Sequence, residues 1–157
     1  MRGRLRGFTL IELVVTISII AILAAVALPR YIALQQQARI AKTQAIYGGI
    51  RSAAALAHAM AIATNTPTSG AATVSMEGVL VNLINGYPTA ETNNGIVIAT
   101  QINAGTDSLA FSGGGAGAGT TLTIDISGGT VGQCTVTYQS PTGPNLSPGV
   151  AVNTNAC

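Results

Sequence analysis

The sequence is poor in charged and aromatic side chains. Its 157 residues include no tryptophan, two phenylalanines and four tyrosines, and only 8% are charged. A soluble enzyme would carry roughly a quarter charged residues. No lysine or arginine follows Arg51. The C-terminal two-thirds therefore lacks the clustered basic residues that an electrostatic nucleic-acid surface needs, and we expect no nucleic-acid partner.

Groups suited to catalysis or metal binding are also scarce. His58 is the only histidine, so no histidine cluster can hold a metal or complete a catalytic triad. We expect His58 on the exposed side of a helix. Asp107 and Asp125 are too few for a calcium site and are interpreted as solvated acids. The glycine-rich segment 113–121 lacks the lysine of a phosphate-binding loop and is interpreted as a flexible exposed loop. The sequence predicts no enzyme, no metal and no cofactor.

What the chain does have is a short basic leader followed by one long apolar run. Residues 1–7 contain three arginines, and the 21 residues from Phe8 to Leu28 carry one charge, Glu12. At about 1.5 Å per residue this run spans about 31 Å as a helix, close to the roughly 30 Å of a bilayer core. The arginines predict a cytoplasmic N-terminus and a single membrane pass.

A conventional secretory signal is the alternative interpretation of this N-terminus. Ala25-Val26-Ala27 would serve as a small-residue cleavage site. Glu12 argues against it, because a carboxylate near the membrane core costs about 2.5–3.5 kcal/mol on insertion scales. A simple signal gains nothing from such a residue, so we interpret Glu12 as functional.

Residues 7–12, with the sequence GFTLIE, resemble the processing motif of type IV prepilins and type II secretion pseudopilins. The resemblance implies that a membrane-embedded prepilin peptidase cuts after Gly7 and that the new N-terminal residue, Phe8, is N-methylated. It also implies that Glu12 pairs with an amino terminus during assembly. Thr9 either adds a hydrogen bond there or satisfies its hydroxyl within its own helix.

Elementary electrostatics supports this assignment for Glu12. After removal of the leader, Phe8 carries a positive amine in apolar surroundings, and Glu12 is the only fixed negative charge within reach. Charges in low dielectric are costly alone and tolerable when paired. An incoming subunit whose amine meets the Glu12 of a neighbour relieves both penalties and sets the axial register. The expected partners are other copies in a filament, the prepilin peptidase and the inner-membrane assembly machinery.

The apolar run is followed by Pro29, which predicts a kink near residues 25–29. A proline here is typical of type IV pilins, whereas Ala21 stands where many of them place a glycine, so local melting of the helix is left open. Beyond Pro29, steps of three and four residues predict one face of an amphipathic helix that ends near Thr64. Gly48-Gly49 would permit close packing of the globular part or of a neighbouring helix. The predicted face comprises Ile40, Thr43, Tyr47, Ile50, Ala54, Ala57 and Ala61.

From about residue 72 the apolar residues recur with period two, which predicts strands separated by glycine- and proline-rich turns. The predicted elements are strands at 122–126, 134–138 and 150–152, a hairpin over 74–84 and a short helix over 94–102. We therefore predict an α+β fold of the pilin kind. Its long N-terminal helix, apolar in the first half and amphipathic in the second, packs against a C-terminal antiparallel sheet.

These patterns divide the chain into four segments: a cleaved leader (1–7), a transmembrane and filament-core helix (8–28), an amphipathic helix (29–64) and a globular region (65–157). Within the globular region, residues 85–90 (NGYPTA) are similar to a segment of mannose-sensitive haemagglutinin pilins. Cys134 and Cys157 are an even number of cysteines, which suggests a disulfide in an exported protein. Many type IVa pilins close a C-terminal loop in this way.

The predicted function is a structural pilus subunit resembling major pilins that serve adhesion or twitching motility. The precursor would lie in the inner membrane and the mature form in an extracellular pilus. A type II secretion pseudopilin is the second hypothesis, although such proteins usually lack the C-terminal disulfide and often bind calcium. A conventionally secreted binding protein is the third, and the mature N-terminus separates it: N-methyl-Phe8 for a filament subunit, Leu28 for plain secretion.

The leader generates the first testable prediction. Because its arginines cannot be buried in a filament core, replacing Gly7 by a bulky residue is expected to block cleavage and leave membrane-bound precursor. Immunoblotting of membrane and surface fractions measures both species. Normal filaments from such a variant would contradict the processing hypothesis.

Overall fold

The computed structural model describes residues 7–129, 132–155 and 157, so residues 1–6 of the predicted leader lie outside the described residues. The chain divides into two units, residues 1–37 and 38–157, which are treated separately. The elements, in chain order, are α1 (Leu10–Ala63), β1 (Ala71–Met76), β2 (Val79–Ile84), β3 (Tyr87–Pro88), α2 (Ile96–Thr100), β4 (Leu109–Gly113), β5 (Thr121–Ile126), β6 (Thr135–Gln139) and β7 (Gly149–Asn153).

The described part of the first unit, residues 7–37, is the start of helix α1 and the three residues before it. Every side chain of this stretch is exposed. An 18-residue window of α1 near the N-terminus has a mean hydropathy of 2.7, so the helix is long and apolar enough to cross a membrane. Helix α1 continues through Pro29. The kink expected near this proline stays a prediction.

In the second unit, α1 buries one face. The predicted face is confirmed at five positions, whereas Ile40 and Tyr47 are only half-buried. Four of the buried residues are alanines, whose small side chains let the backbone of the helix approach the sheets closely. Helix α1 ends at Ala63, one residue before the predicted end, and Asn65 follows with a positive φ of 50°. The buried residues are Thr43, Ile46, Ile50, Ala53, Ala54, Ala57 and Ala61.

The two adjacent glycines of α1 lie in different surroundings. A Cβ atom added to Gly49 would lie 3.3 Å from Cγ2 of Thr100 in α2, whereas one added to Gly48 would meet nothing within 4 Å. Gly49 therefore lets α2 pack tightly against α1, which is the packing of the globular part that the sequence suggested for this pair.

The strands form two antiparallel sheets rather than the single sheet predicted. Strands β1-β2-β3 form one sheet and β4-β5-β6-β7 the other, each with sequential neighbours. The chain leaves the edge of the first sheet after Pro88 and passes through α2 before β4 begins. Between the two sheets, among the described residues, one isolated bridge pairs Ala90 with Gly115, where the amide of Gly115 donates to the carbonyl of Ala90 at 2.9 Å.

Each sheet covers a different length of α1. Ala57 and Ala61 pack with Val74, Val81 and Leu83 of the three-stranded sheet. The preceding turns of α1 pack in a larger cluster with α2 and the four-stranded sheet, whose central buried side chains are Leu122, Ile124, Val136 and Tyr138. The predicted α+β fold, with a helix packed on antiparallel sheets, is confirmed.

Tyr138 is the largest fully buried side chain of this core. Its hydroxyl donates a hydrogen bond of 2.7 Å to the carbonyl of Pro88, so it joins strand β6 of one sheet to β3 of the other. Burial raises the pKa of the Tyr138 hydroxyl, which keeps this donor protonated.

This contact yields a stability prediction. Tyr138→Phe removes a buried donor and leaves the Pro88 carbonyl without it, which costs about 1–3 kcal/mol of unfolding free energy. Urea denaturation of the detergent-solubilised subunit, followed by circular dichroism, measures the loss. Tyr47→Phe is the matched control, because the Tyr47 hydroxyl only accepts an exposed bond from Arg51 at 3.2 Å. Equal stability of the two variants would contradict the assignment.

Candidate functional site

The proposed scissile bond, between Gly7 and Phe8, lies in an exposed segment outside any helix. Residues 7–9 precede α1, and the Phe8 side chain is 75% exposed. A Cβ added to Gly7 would meet nothing within 4 Å. Nothing in the described subunit therefore demands glycine at this position.

Thr9 and Glu12 form a reciprocal cap at the N-terminus of α1. Glu12 Oε2 accepts hydrogen bonds from the backbone amide of Thr9 at 2.9 Å and from its hydroxyl at 2.7 Å. The hydroxyl oxygen of Thr9 accepts the amide of Glu12 at 3.3 Å. This is a capping box, in which side chains three residues apart satisfy helix amides that otherwise have no partner. Of the two alternatives left open for Thr9, the described subunit shows the one within its own helix.

The capping box has a consequence for the carboxylate. Both contacts from Thr9 use Oε2, so Oε1 of Glu12 takes no part in the cap. The carboxylate is oriented by the helix it caps while one oxygen points elsewhere. A cation brought by another molecule can therefore meet Oε1 without breaking the cap.

The side chains around Glu12 form a continuous exposed apolar surface. Thr16 and Ser18, the two hydroxyl residues of the run besides Thr9, donate to the carbonyls of Leu13 and Val14 at 2.8 Å and 2.7 Å. Their polar groups are therefore satisfied inside the helix, as a lipid or protein environment requires. The sequence analysis did not use these two residues, although the i−3 and i−4 spacing allowed the inference. Exposed large apolar residues include Leu10, Ile11, Leu13, Ile17, Ile20, Ile22, Leu23, Val26 and Leu28.

Cys134 and Cys157 form a disulfide bond, with their Cα atoms 4.8 Å apart. Both residues are almost completely buried, at 1% and 4% exposure. The bond lies against α1 at Thr43, whose hydroxyl is 3.3 Å from Sγ of Cys134. Arg39, one turn earlier on α1, donates a 2.7 Å hydrogen bond to the backbone carbonyl of Cys157. The disulfide therefore joins Cys157 to the residue before β6, and Arg39 binds Cys157 to α1, a contact that the sequence alone did not indicate.

His58 lies elsewhere than predicted. It was expected to face solvent but is half-buried, and its ring stacks on Tyr87 with centroids 4.1 Å apart and planes 5° apart. Its Nδ1 lies 2.8 Å from the carbonyl of Gly86. The β2–β3 turn and the first residue of β3 supply these two contacts to α1, a long-range pairing that helical periodicity cannot indicate.

The remaining sequence candidates have local structural contacts. Asp107 accepts the amide of Asn103 at 2.8 Å, and Asp125 accepts the amide of Gly132 at 2.9 Å. Within the ranges that the structure describes, no group of three or more His, Cys, Asp or Glu side chains could hold a metal ion. The glycine-rich segment is exposed, but Thr120 ties it together by donating to the carbonyls of Gly115 and Gly117.

Comparison with known proteins places this N-terminus in a class. Residues 2–28 match the family described as the prokaryotic N-terminal methylation motif. The matched residues include the GFTLIE string and the whole apolar run 8–28. No solved structure matches the chain significantly.

Similarity to individual proteins extends further along the chain and is more specific. The chain is 34% identical over 122 residues to the type IV narrow pilus major component PilA5 of Thermus thermophilus, across 78% of this chain and 99% of that protein. It is 36% identical over 99 residues to the type IV major pilin protein PilE of Neisseria gonorrhoeae, across 61% and 56%. It is 34% identical over 102 residues to a fimbrial protein of Neisseria meningitidis, across 63% and 56%. The chain belongs to the type IV pilin family.

The disulfide generates a prediction for the isolated subunit. It closes a loop of about 22 residues, for which chain entropy gives about 3–4 kcal/mol of stabilisation. The Cys134→Ser/Cys157→Ser variant is expected to lose about that unfolding free energy in urea denaturation. In the wild-type protein, alkylation under non-reducing, denaturing conditions should find no thiol. Free thiols on both residues of purified filaments would show that the bond does not form in the assembled protein.

Proposed function

We propose that this chain is the structural subunit of a type IV pilus, made as a precursor, cleaved between Gly7 and Phe8, methylated on the Phe8 amine and polymerised through α1. The observation that carries the proposal is the exposed apolar helix that begins at Leu10, shortly after the Gly7–Phe8 bond, and is capped by Thr9 and Glu12. Type IV pilin relatives that match over most of their length favour a pilus subunit over a secretion pseudopilin.

The membrane holds the precursor in this proposal. The apolar run 8–28 anchors it in the inner membrane as a single pass, and the arginines of the leader keep the N-terminus cytoplasmic. A prepilin peptidase removes the leader there. The mature chain then has four basic residues (Arg30, Arg39, Lys42 and Arg51) against five acidic ones, since three arginines leave with residues 1–7.

Assembly exchanges lipid for protein around the same helix. Apolar side chains that face lipid in the precursor face the helices of other copies in the filament, where close packing contributes dispersion energy. The inner-membrane machinery supplies the work of extraction. Adhesion and motility are proposed as properties of the assembled surface, and the subunit itself is proposed to have no catalytic role.

Charge pairing directs this exchange. The Phe8 amine created by cleavage enters an apolar core in which Glu12 of a neighbouring copy is the complementary charge. The capping box already fixes that carboxylate and leaves Oε1 outside the cap. Pre-orientation lowers the entropy lost when the two charges meet, because the Glu12 side chain is held before the partner arrives.

Glu12→Ala is expected to leave membrane insertion and cleavage intact while reducing surface filaments by a hundredfold or more. Losing one member of a buried ion pair costs about 3–5 kcal/mol, which corresponds to such a shift in a polymerisation equilibrium. Electron microscopy counts the filaments, and mass spectrometry of the membrane fraction verifies cleavage at Phe8.

Two matched variants separate charge from capping. Glu12→Gln keeps an oxygen that can cap Thr9 but removes the charge, since glutamine also serves in a capping box. Thr9→Ala removes the hydroxyl of the cap and keeps the charge. Pairing predicts that Glu12→Gln assembles as poorly as Glu12→Ala and that Thr9→Ala is far less affected. If Glu12→Gln formed as many filaments as the wild type, the pairing mechanism would be overturned. If the wild-type chain were cleaved but formed no filaments, the pilus assignment itself would be overturned.

A further inference from the structure

The globular unit has an apolar groove that the described subunit leaves open. Its volume is about 590 Å³, and its walls come from α1, from the β1–β2 hairpin and from the region of α2. Leu56 on α1 is 56% exposed and Val79 on β2 is 49% exposed. Apolar side chains that stay this exposed around an open groove leave a surface on which a further apolar segment can pack. The residues that matter for the argument are Leu56, Met60, Met76, Val79, Ile98 and Ile102.

One charged side chain lines this groove. Glu77 lies in the tight turn between β1 and β2, with a positive φ of 52°, and its Oε2 accepts a bond from Nε2 of Gln101 at 2.5 Å. Gln101 thus holds the carboxylate at the rim. Two other acids of the globular unit accept backbone amides, and Glu91 accepts both Asn82 and Thr89. Among the described hydrogen bonds of these four acids, Glu77 differs in that it accepts from a single side chain and from no backbone amide.

A segment of α1 in the first unit has the complementary character. The side chains of Tyr31 and Leu34 are 60% and 62% exposed. Arg30 is the only charged residue between Glu12 and Arg39, and no described residue forms a hydrogen bond with its guanidinium. At about 100° per residue, Arg30, Tyr31 and Leu34 lie on one side of the helix, with Arg30 and Leu34 one turn apart. This segment follows the apolar run 8–28 and so lies outside the hydrocarbon core.

We propose that in the filament the segment 30–34 of one copy docks into this groove of a second copy. Tyr31 and Leu34 fill the apolar walls, and Arg30 meets Glu77 at the rim. The proposal rests on the polymerisation put forward above and names the surface by which the globular unit of one copy takes part in it. A helix that inserts spaced apolar anchors into a groove is a recurrent mode of recognition.

Two features favour a second copy as the occupant. The first is charge complementarity: every basic residue from Arg30 onward lies on α1, whereas Glu77 and the three other acids of the globular region lie beyond it. The second is geometry. Segment and groove are different surfaces of the same chain, so the contact is heterologous, and repetition of a heterologous contact that does not close gives an open helical filament.

Charge reversal tests the rim contact. Arg30→Glu and Glu77→Arg are each expected to reduce surface filaments by about tenfold or more, because each places like charges together at the rim. The double variant restores the opposite charges and should recover most of the filaments. Arg51→Glu is the control, since Arg51 is also exposed on α1 but packs over Tyr47, and it should assemble as the wild type does.

Cross-linking tests the groove directly. Leu34→Cys combined with Val79→Cys should give a ladder of covalent multimers when wild-type-like filaments are mildly oxidised. The native disulfide is buried and does not compete. Leu34→Cys with Leu146→Cys is the matched control, because Leu146 is 51% exposed but does not line the groove, and it should give no ladder.

The outcomes separate this proposal from the function on which it rests. No recovery in the double charge variant, wild-type filament numbers in both single variants, or equal ladders from the two cysteine pairs would overturn the docking contact. The first two results are comparisons with a wild-type chain that forms filaments, so either of them would leave the pilus assignment intact. Absence of filaments from the processed wild-type chain would instead overturn that assignment.

Discussion

Helix α1 is apolar on every side along its first half and on one side only along its second half. The rest of the structure depends on this change in the distribution of apolar side chains along one helix. Residues 7–37 bury nothing within the described subunit, whereas from Thr43 onward one face is covered. Small residues make that cover tight: Ala57 and Ala61 have no exposed surface. One continuous element can thus serve a membrane or filament core at one end and a folded unit at the other.

The covered half of α1 is held by contacts of two kinds. The sheets supply apolar burial through residues such as Leu83 and Ile124. Polar contacts at the disulfide are the second kind: the Thr43 hydroxyl lies beside the sulfur atoms, and Arg39 binds the carbonyl of Cys157. Because the loop that the disulfide closes contains β6 and β7, it restrains the unfolded chain and so favours the registered edge of the four-stranded sheet.

Charge is used sparingly and locally in this chain. Glu12 satisfies the first turn of α1 before any partner arrives, and Glu77 is held at the rim of an apolar groove by Gln101. In each case a hydrogen bond from an uncharged group orients the carboxylate and leaves its negative charge in place. Few charges are enough for the pairings proposed for Glu12 and Glu77, because an isolated charge in apolar surroundings discriminates strongly between a matched neighbour and an unmatched one.

The sequence by itself determined the features that depend on neighbours a few residues away. The GFTLIE string, the apolar run 8–28, the helix end near Thr64 and the alternation over 122–126 all follow from local spacing. Tertiary structure decided the rest. It divided the strands into two sheets, and it brought together His58 with Tyr87 and Arg39 with Cys157, residues that lie 29 and 118 positions apart in the chain. Periodicity shows which side of an element is apolar, but which element covers that side depends on chain topology, and topology leaves no mark on local spacing.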